Sequence, residues 1–256
     1  HNNSTTLYPS FVDKSDVVVN LAGSPTAGNP HSGKWARELR KSRVTTTKVL
    51  AEAIAASATR PAFLAGNAIA IYGDHGDDTV EETDDSRGSS FLTEVTREWK
   101  SAAQTAVDAG SRVAYLHTVP VMDRRSAPLK QLRLLFKTGL GGRLGDGQQY
   151  MPMISLRDWV AAATFVAEHD ELSGPVNLCC ASTPTNAQFT SELAGLLHRP
   201  ALAPVPAIVL KQAAGKLAPE LLGSIRAVPE KLLAAGFRFA DPEVGSVLRT
   251  GLGVGS

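Results

Sequence analysis

Short apolar runs alternate with longer stretches of helical spacing over the first two-thirds of this 256-residue chain. The apolar runs predict β-strands at 16–23 (DVVVNLAG), 62–71, 112–121, 150–155 and 176–181. The stretches between them predict helices at 35–54, 91–108, 129–137 and 157–168. Strands that alternate with helices are typical of a parallel sheet with crossover helices, so the predicted fold class is α/β and Rossmann-like.

The pattern changes from residue 186 onward to short helices separated by prolines. Asn186 is a predicted N-cap, 204–206 (PVP) is a predicted linker, and Pro229 and Gly236 bracket another helix. We therefore predict two units. Residues 1–122 plus 153–182 form the sheet domain, and residues 123–152 plus 183–256 form a small, mostly helical C-terminal lobe on the substrate side.

Two polar segments interrupt these elements. The acidic run 74–85 (DHGDDTVEETDD) lacks apolar periodicity and predicts an exposed loop. The glycine-rich segment 139–147 (GLGGRLGDG) could form a backbone nest for a phosphate. It follows a helix rather than a strand, which favours the alternative, a structural turn.

Composition and charge exclude several classes of protein. A formal net charge of +1 and 20% charged residues give no reason to expect nucleic acid or an anionic membrane as partner. The basic cluster 34–48 predicts the solvated face of a helix. No apolar stretch approaches the roughly 20 residues of a membrane span and no signal pattern begins the chain, so we expect a cytoplasmic protein. Adjacent Cys179 and Cys180 predict neither a disulfide nor a metal site.

The start of the chain is unusual for a dinucleotide-binding sheet. Such sheets open with a strand, a glycine-rich turn and a helix that holds the pyrophosphate. Only fifteen residues precede Asp16, and none is glycine. We therefore expect an upstream unit, or another chain, to cover the edge of the 16–23 strand. Without that unit, cofactor affinity is expected to be weak or nil.

A series of motifs then suggests a family. DVVVNLAG, RELRKSRVTTTKVLAEAI, IYGDHGD, FLTEVTREWKSAA, FKTGLGGRLGDGQQY, LSGPVNL and RPALAPVPA occur in that order between Leu7 and Leu252. Together they resemble the epimerase family of the extended short-chain dehydrogenase/reductases, which is nucleoside-diphosphate-sugar epimerase-like. The block 139–147 and the SRVTTT segment are its most specific parts. The resemblance implies NADP or NAD as cofactor, a small-molecule substrate that could be a nucleotide sugar, and a possible homodimer.

The chain also differs from this superfamily at the expected catalytic residues. The extended superfamily uses a Tyr-x-x-x-Lys pair with a Ser, and the lysine lowers the pKa of the tyrosine so that it can take a hydroxyl proton. The tyrosines here are Tyr8, Tyr72, Tyr115 and Tyr150, and the residues four places on are Val12, Gly76, Val119 and Ile154. Phe91 or Leu92 stands at the tyrosine position and Asn67 at the serine position.

The functional hypothesis is therefore an NAD(P)-binding epimerase-like or oxidoreductase-like protein without the usual pair. The alternative is a non-catalytic nucleotide-binding or scaffold protein. The predicted cofactor-binding residues are Asn20, Leu21, Ala22, Gly23, Ser24, Ala65, Gly66, Thr118 and Val121. For 20–24, a tight strand-to-loop turn is the competing interpretation.

Four further residues complete the candidate site. Asn67 and Tyr72 are the candidate catalytic residues, and Arg143 and Gln148 could contact a sugar-nucleotide phosphate. Asn67 could equally be a buried, hydrogen-bonded amide, and Tyr72 an amphipathic residue with its ring inside and its hydroxyl in water.

Other polar residues favour structural roles. Asp158, which follows Arg157, is predicted to interact with a helix dipole rather than with substrate. His117 is predicted to be a core or cleft residue, and His75 is a lone histidine with no predicted partner.

Overall fold

Four parallel strands form the central sheet of the computed structural model, which describes residues 11–201 and 204–254. The strands are β1 Val17–Asn20, β2 Ala62–Ala68, β3 Thr79–Val80, β4 Val113–Thr118, β5 Val121–Met122, β6 Ile154–Ser155, β7 Gly174–Leu178 and β8 Arg226–Ala227. The sheet order is β1-β2-β4-β7, with Val18 opposite Phe63 and Leu116 opposite Val176. The predicted α/β class is confirmed. Leu7, Tyr8 and the ends of the predicted domain spans lie outside the described residues.

Helices join the strands and cover the sheet. They are α1 Gly33–Ala56, α2 Phe91–Ser101, α3 Gln104–Asp108, α4 Ala127–Lys137, α5 Leu156–Glu168, α6 Asn186–Leu197, α7 Ala207–Ala214, α8 Ala218–Leu222, α9 Glu230–Ala234 and α10 Val244–Leu252, with short 3-10 turns at Ile69–Ile71 and Gly215–Leu217. Ser32, Ser90 and Ser155 each accept a hydrogen bond from a backbone N–H of the first turn that follows. These serine caps explain where α1, α2 and α5 begin.

Alternating side chains of the sheet pack into two layers. Phe63 and Ala65 face Ala51 and Ile54 of α1. Leu64, Leu116 and Val176 belong to a second cluster with Ala162 and Val166 of α5. Successive residues of a strand point to opposite faces, so helices are needed on both sides of the sheet.

A third apolar cluster lies where residues of α4, α6 and α10 meet. Its buried members are Met122, Leu129, Phe136, Met153, Cys180, Phe189, Leu193, Val247 and Leu248. Ala227, Leu232 and Phe237 instead pack with the sheet core. The proposed division into domains stays a prediction. The predicted mostly helical character of the C-terminal part is confirmed, and this part also contains the short strand β8, which pairs in parallel with β3.

Several predicted boundaries differ from the structure. The 62–71 strand ends at Ala68 and continues as the 3-10 turn, and the 91–108 helix breaks into α2 and α3. The 112–121 strand ends at Thr118, shortly before Pro120, which lacks the N–H that a ladder needs. The predicted 150–155 strand shrinks to β6. Asn186 is not an N-cap, because Thr185 fills that position in a capping box with Gln188.

The acidic run is less exposed than predicted. Val80 pairs in β3, and His75 and Glu82 are buried. Glu82 accepts the backbone N–H of Asn177 at 3.0 Å and that of Lys231 at 3.4 Å. Its carboxylate therefore ties this segment to the outer edge of β7 and to the start of α9.

The two edge strands of the sheet, β1 and β7, differ in how far other segments cover them. The β7 edge is partly covered, since Asn177 also donates to the carbonyl of Val228 at 2.9 Å. β1 pairs only with β2 among the described strands, and Val19 is 49% exposed. That an upstream unit or another chain covers this edge stays a prediction.

Both cysteine thiols are buried and unpaired within the part of the chain that the structure describes. Burial raises the pKa of Cys179, and raises that of Cys180 to about 11. Across residues 11–201 and 204–254, no helix has the length and apolar content needed to cross a membrane.

Candidate functional site

The loop that follows β1, residues 21–32, lies at the carboxyl edge of the sheet. Leu21 is 54% exposed, Ala22 and Gly23 are exposed, and Ser24 is half-buried. We call this segment the β1–α1 loop. Ligands of open parallel sheets bind outside the carboxyl ends of the strands, so the loop has the position that the cofactor hypothesis requires.

The Asn20 side chain hydrogen-bonds to the backbone at the start of this loop. Its side-chain oxygen accepts the N–H of Ala22 at 3.1 Å, and its amide nitrogen donates to Thr47 Oγ1 at 2.8 Å. Thr47 Oγ1 also accepts the indole N–H of Trp99 at 2.8 Å. The Asn20 amide is buried, and both its oxygen and its nitrogen have a partner inside the protein. Asn20 therefore holds the turn, which is the competing interpretation for this residue.

Two residues of α1 hold the loop from the other side. Ser42 Oγ accepts the backbone N–H of Ser24 at 2.9 Å. The Arg43 guanidinium donates to the Ser24 carbonyl at 3.0 Å and to Thr26 Oγ1 at 3.3 Å. The β1–α1 loop is thus fixed to the helix at two successive side chains.

Arg43 contacts the β1–α1 loop although it is not among the predicted site residues. The basic cluster 34–48 was predicted to be a solvated face, and Lys34, Lys41 and Lys48 are exposed as expected. Arg43 is half-buried against Trp99, with its guanidinium carbon 5.3 Å from the ring centre. The sequence feature that could have identified Arg43 is its place in the family-specific SRVTTT segment.

Ala65 and Gly66 of β2 are buried beneath the edge. Ala65 packs in the core against the α1 and α3 side of the sheet. A Cβ on Gly66 would lie 2.7 Å from the Asn20 carbonyl oxygen and 3.1 Å from Trp99. A glycine is needed there for close packing of β1, β2 and α2. Contact of either residue with a cofactor stays a prediction.

Asn67 is also committed inside the protein. Its amide nitrogen donates to the carbonyl of Thr96 in α2 at 3.1 Å, and its oxygen accepts the N–H of Ala68 at 2.7 Å. The residue is buried. This geometry is that of the alternative, a buried hydrogen-bonded amide, and a catalytic role for Asn67 stays a prediction.

Thr118 and Val121 mark the end of β4. Thr118 Oγ1 accepts the indole N–H of Trp159 at 3.1 Å and is half-buried. Val121 is half-buried and begins β5. Trp99 and Trp159 thus both lie beside predicted cofactor residues, which makes tryptophan emission a probe of this edge.

Tyr72 lies in a buried polar network rather than at a surface. Its hydroxyl donates to Asn177 Oδ1 at 2.9 Å, and His117 Nδ1 lies 3.0 Å from the same oxygen. A phenol has one hydrogen, so His117 Nδ1–H is the donor in the second bond. Tyr72 is 2% exposed. The alternative placed the Tyr72 hydroxyl in water, and the structure buries it instead. Access of this hydroxyl to a substrate stays a prediction.

Burial controls the protonation of this network. Desolvation, together with the nearby charge of Glu82, raises the pKa of Tyr72 above its ordinary value. Desolvation, helped by Lys100, lowers the pKa of His117 to about 3. His117 is thus a neutral core residue, as predicted, and Tyr72 keeps its proton as a neutral phenol.

Residues 216–220 contact the start of α2 near this edge. Glu220 of α8 accepts a hydrogen bond from Ser90 Oγ, the N-cap of α2, at 2.8 Å. Lys216 Nζ lies 5.9 Å from the centre of the Phe91 ring, and Phe91 contacts Trp35 at 5.6 Å. The 3-10 turn Gly215–Leu217 and α8 therefore contact the N-terminal end of α2, and Lys216 also donates its N–H to the Pro30 carbonyl of the β1–α1 loop at 3.5 Å.

Arg143 and Gln148 are both exposed on the glycine-rich connection. Gln148 lines a cavity of about 480 Å³ that lies between residues 74–77 and residues 144–149, 207–211 and 222–224. Its other lining residues include Asp74, Asp77, Asp146, Gln149, Lys211 and Ser224. Arg143 is not among the lining residues, so the structure does not bring the two predicted substrate contacts into one cavity.

The connection itself is a packed turn. Leu144 donates its N–H to Asn186 Oδ1 at 2.8 Å, and Val205 donates to the carbonyl of Arg143 at 2.7 Å. Gly139, Gly145 and Gly147 have positive φ, which favours glycine. These contacts agree with the structural-turn interpretation.

Arg157 and Asp158 form hydrogen bonds to residues 240 and 241. The Asp158 carboxylate accepts the N–H groups of Ala240 and Asp241 at 3.0 and 2.7 Å, and Arg157 pairs with Asp241 at 2.7 Å. Asp158 thus anchors the chain that leads to α10.

A larger open depression of about 1030 Å³ lies at the opposite, amino edge of the sheet. None of the predicted site residues lines it. Within the described residues, no three His, Cys, Asp or Glu side chains are grouped as a metal site would require.

Comparison with known proteins adds a sequence family. Residues 205–250 match the model of a domain of unknown function, DUF1731. An epimerase family protein of Mycobacterium bovis is 38% identical over 241 residues, which are 94% of this chain and 79% of that protein.

Two solved structures have the same fold. Human epimerase family protein SDR39U1, solved with NADPH, superposes with a TM-score of 0.86 at 27% identity, over 95% of this chain and 85% of that chain. A nucleoside-diphosphate sugar epimerase from Corynebacterium glutamicum superposes with a TM-score of 0.76 at 30% identity. It is matched over 96% of this chain and 48% of that one.

Proposed function

Since the chain belongs to the epimerase family of the extended short-chain dehydrogenase/reductases, we propose that it binds NADP or NAD along the carboxyl edge of its sheet. The observation that carries this proposal is the β1–α1 loop. Its exposed backbone at Leu21–Gly23 is held to α1 by Ser42 and Arg43. The human relative was solved with NADPH.

The residues present fit such a cofactor. Ala22 and Gly23 are small and exposed, so a ligand can approach their backbone closely. Arg43 supplies positive charge beside them. We propose that residues 21–24, Thr118 and Val121 hold the cofactor, with Ala65 and Gly66 supporting the edge from below.

The proposed activity is epimerase-like or oxidoreductase-like chemistry on a small molecule, with a nucleotide sugar as the first class to test. The C. glutamicum relative is named a nucleoside-diphosphate sugar epimerase. A bound nicotinamide would supply or accept a hydride. The chain offers no Tyr-x-x-x-Lys pair for the accompanying proton. Tyr72 is the candidate for that role, and Asn67 is proposed to hydrogen-bond the substrate or the nicotinamide carboxamide. Gln148 and Arg143 are the proposed substrate contacts.

Cofactor binding is tested with the full chain as its gene encodes it. NADPH and NADH are titrated against tryptophan emission, because Trp99 and Trp159 lie beside the proposed site. We expect saturable quenching and a rise in melting temperature. Ala22→Glu places a negative charge on the exposed loop and should weaken binding at least tenfold.

The matched control is Ala161→Glu, at an exposed position of α5. It adds the same charge away from the loop and should leave binding unchanged. Absence of quenching and of a thermal shift with both nucleotides would refute the proposal.

A second candidate is a non-catalytic nucleotide-binding or scaffold protein. The observation that favours it is the commitment of Asn67 and Tyr72 to internal hydrogen bonds. Tight NADPH binding without turnover of any of a panel of UDP-sugars would support this candidate. Turnover of one of them would exclude it.

A homodimer also stays a proposal. Sedimentation of the full chain at several concentrations distinguishes a dimer from a monomer.

A further inference from the structure

Arg43 is a cation of α1 that contacts the β1–α1 loop directly. Its Nη1 donates to the carbonyls of Ser24 and Leu39 at 3.0 and 3.2 Å, and its Nη2 donates to Thr26 Oγ1 at 3.3 Å. All three acceptors are neutral oxygens. The guanidinium is therefore held in place without being neutralised.

Three other cations of α1 have carboxylate partners, whereas Arg37 and Lys41 have none within the described residues but are exposed to solvent. Lys34 pairs with Glu38 at 3.9 Å, Arg40 with Glu98 at 3.5 Å, and Lys48 with Glu52 at 3.8 Å. Among the residues that the structure describes, Arg43 has no carboxylate within ion-pair distance. Its charge is half-buried, and burial lowers the pKa of Arg43. A partly desolvated cation without a counter-ion is a favourable place for an anion.

The guanidinium also keeps donors available. Three of its five N–H groups have acceptors within residues 11–201 and 204–254, and the Nε–H group is one of the two left over. Trp99 packs under the guanidinium plane at 5.3 Å and restricts its orientation. A preoriented guanidinium with spare donors suits a phosphate, which it can bind through more than one oxygen.

We propose that Arg43 binds a phosphate group of the dinucleotide that lies on the β1–α1 loop. The inference rests on the proposed function and names a recognition residue for it. Gly23 supports the assignment, because the Arg43 side chain packs closely against it: a Cβ added to Gly23 would lie 3.2 Å from the guanidinium carbon. Loop backbone and guanidinium thus form one continuous surface. The phosphate is either the pyrophosphate, shared by NADH and NADPH, or the 2′-phosphate of NADPH.

The rival explanation is that Arg43 only positions the loop. The two roles differ in charge dependence. Positioning requires hydrogen bonds to neutral oxygens, whereas phosphate binding requires the positive charge and weakens with added salt.

The experiment compares the wild type, Arg43→Gln, Arg43→Lys and the control Lys41→Gln, all in the full chain. Lys41 is an exposed cation of the same helix. Dissociation constants for NADPH, NADH and UDP are measured by calorimetry at 50 and 300 mM KCl, and each variant is melted as a folding check. We expect Arg43→Gln to weaken cofactor binding at least tenfold at low salt and to reduce its salt dependence. Arg43→Lys should be intermediate and Lys41→Gln unchanged.

The outcomes separate cleanly. A loss for NADPH alone identifies the 2′-phosphate, and equal losses for NADPH and NADH identify the pyrophosphate. Unchanged cofactor affinity, a loss confined to UDP, or a loss that leaves the salt dependence unchanged would overturn the inference while the proposed function stands. A wild type that binds neither NADPH nor NADH overturns the proposed function and the inference with it.

Discussion

The Tyr72 hydroxyl and the Asn177 side-chain oxygen are joined by a 2.9 Å hydrogen bond between residues 105 positions apart in the chain. The bond connects the turn after β2 to the outer strand β7, and His117 of β4 contacts the same hydroxyl at 3.0 Å. Three neighbouring parts of the fold therefore meet at one phenol.

Replacing Tyr72 by Phe should destabilise the protein by about 1–3 kcal/mol, because Asn177 and His117 each lose a buried partner. The free energy of unfolding in urea measures this. Tyr115→Phe is the control, since no hydrogen bond to that hydroxyl is present among the described residues, and its effect should stay within about 0.5 kcal/mol. Equal losses in both variants would show that the network contributes nothing.

His117 predicts a pH dependence. Its pKa is lowered from 6.5 to about 3 in the folded state, so the unfolded chain binds a proton that the folded protein does not. Stability from this group is present above pH 6.5 and is lost as the pH falls toward 3. Between pH 7 and 5 the wild type should lose about 2 kcal/mol through this group.

The variant His117→Asn isolates that contribution, because an amide can still donate to Tyr72 but does not titrate. Burial raises the pKa of Glu82, which works in the opposite sense and is present in both proteins. The stability difference between wild type and variant should therefore shrink by about 2 kcal/mol from pH 7 to 5. Parallel pH profiles would contradict the assignment.

Gly66 should not tolerate a methyl group. A Cβ there would meet the Asn20 carbonyl oxygen at 2.7 Å, so Gly66→Ala should destabilise by about 1–3 kcal/mol through overpacking. Gly195→Ala is the control in α6, where nothing lies within 4 Å of the added atom. That variant should gain about 0.5–1 kcal/mol of stability. Thermal melts with the sign reversed would disprove both expectations.

Arg112 holds the C-terminal end of α5. Its guanidinium donates to the carbonyls of Val166, His169 and Leu172 and to that of Ala167, at 3.0–3.3 Å. A lysine cannot reach these acceptors together, so Arg112→Lys should destabilise by about 1.5–3 kcal/mol. Asp170→Asn removes the 3.4 Å ion pair to an exposed carboxylate and should cost at most about 0.5 kcal/mol. Denaturant unfolding of both variants tests the difference.

The elements themselves were largely predictable. Apolar runs and helical spacing located β1, β2, β4 and β7 together with the main helices, because each signal is local to its own segment. Boundaries were less accurate where a neighbour decides them. Asn186 has the composition of an N-cap, but Thr185 takes that place and Asn186 binds the backbone of Leu144 instead.

The candidate site was predictable in position but not in detail. Loop 20–24 was expected at the carboxyl edge of a parallel sheet, and it lies there. The sequence did not show which residues beside the loop contact it and which face solvent. Arg43 and Lys41 look alike in sequence, and only the packing of Trp99 and the loop distinguishes a held guanidinium from a solvated amine.

The amino-acid order alone determined the parallel α/β fold and the absence of a Tyr-x-x-x-Lys pair, since both are properties of spacing along the chain. The tertiary structure decided which polar groups are free to meet a ligand. Asn67 and Tyr72 find internal partners from distant segments, whereas Arg43 does not find a carboxylate among the described residues. Hydrogen bonds and charges are satisfied in three dimensions, so no local pattern could have separated these cases.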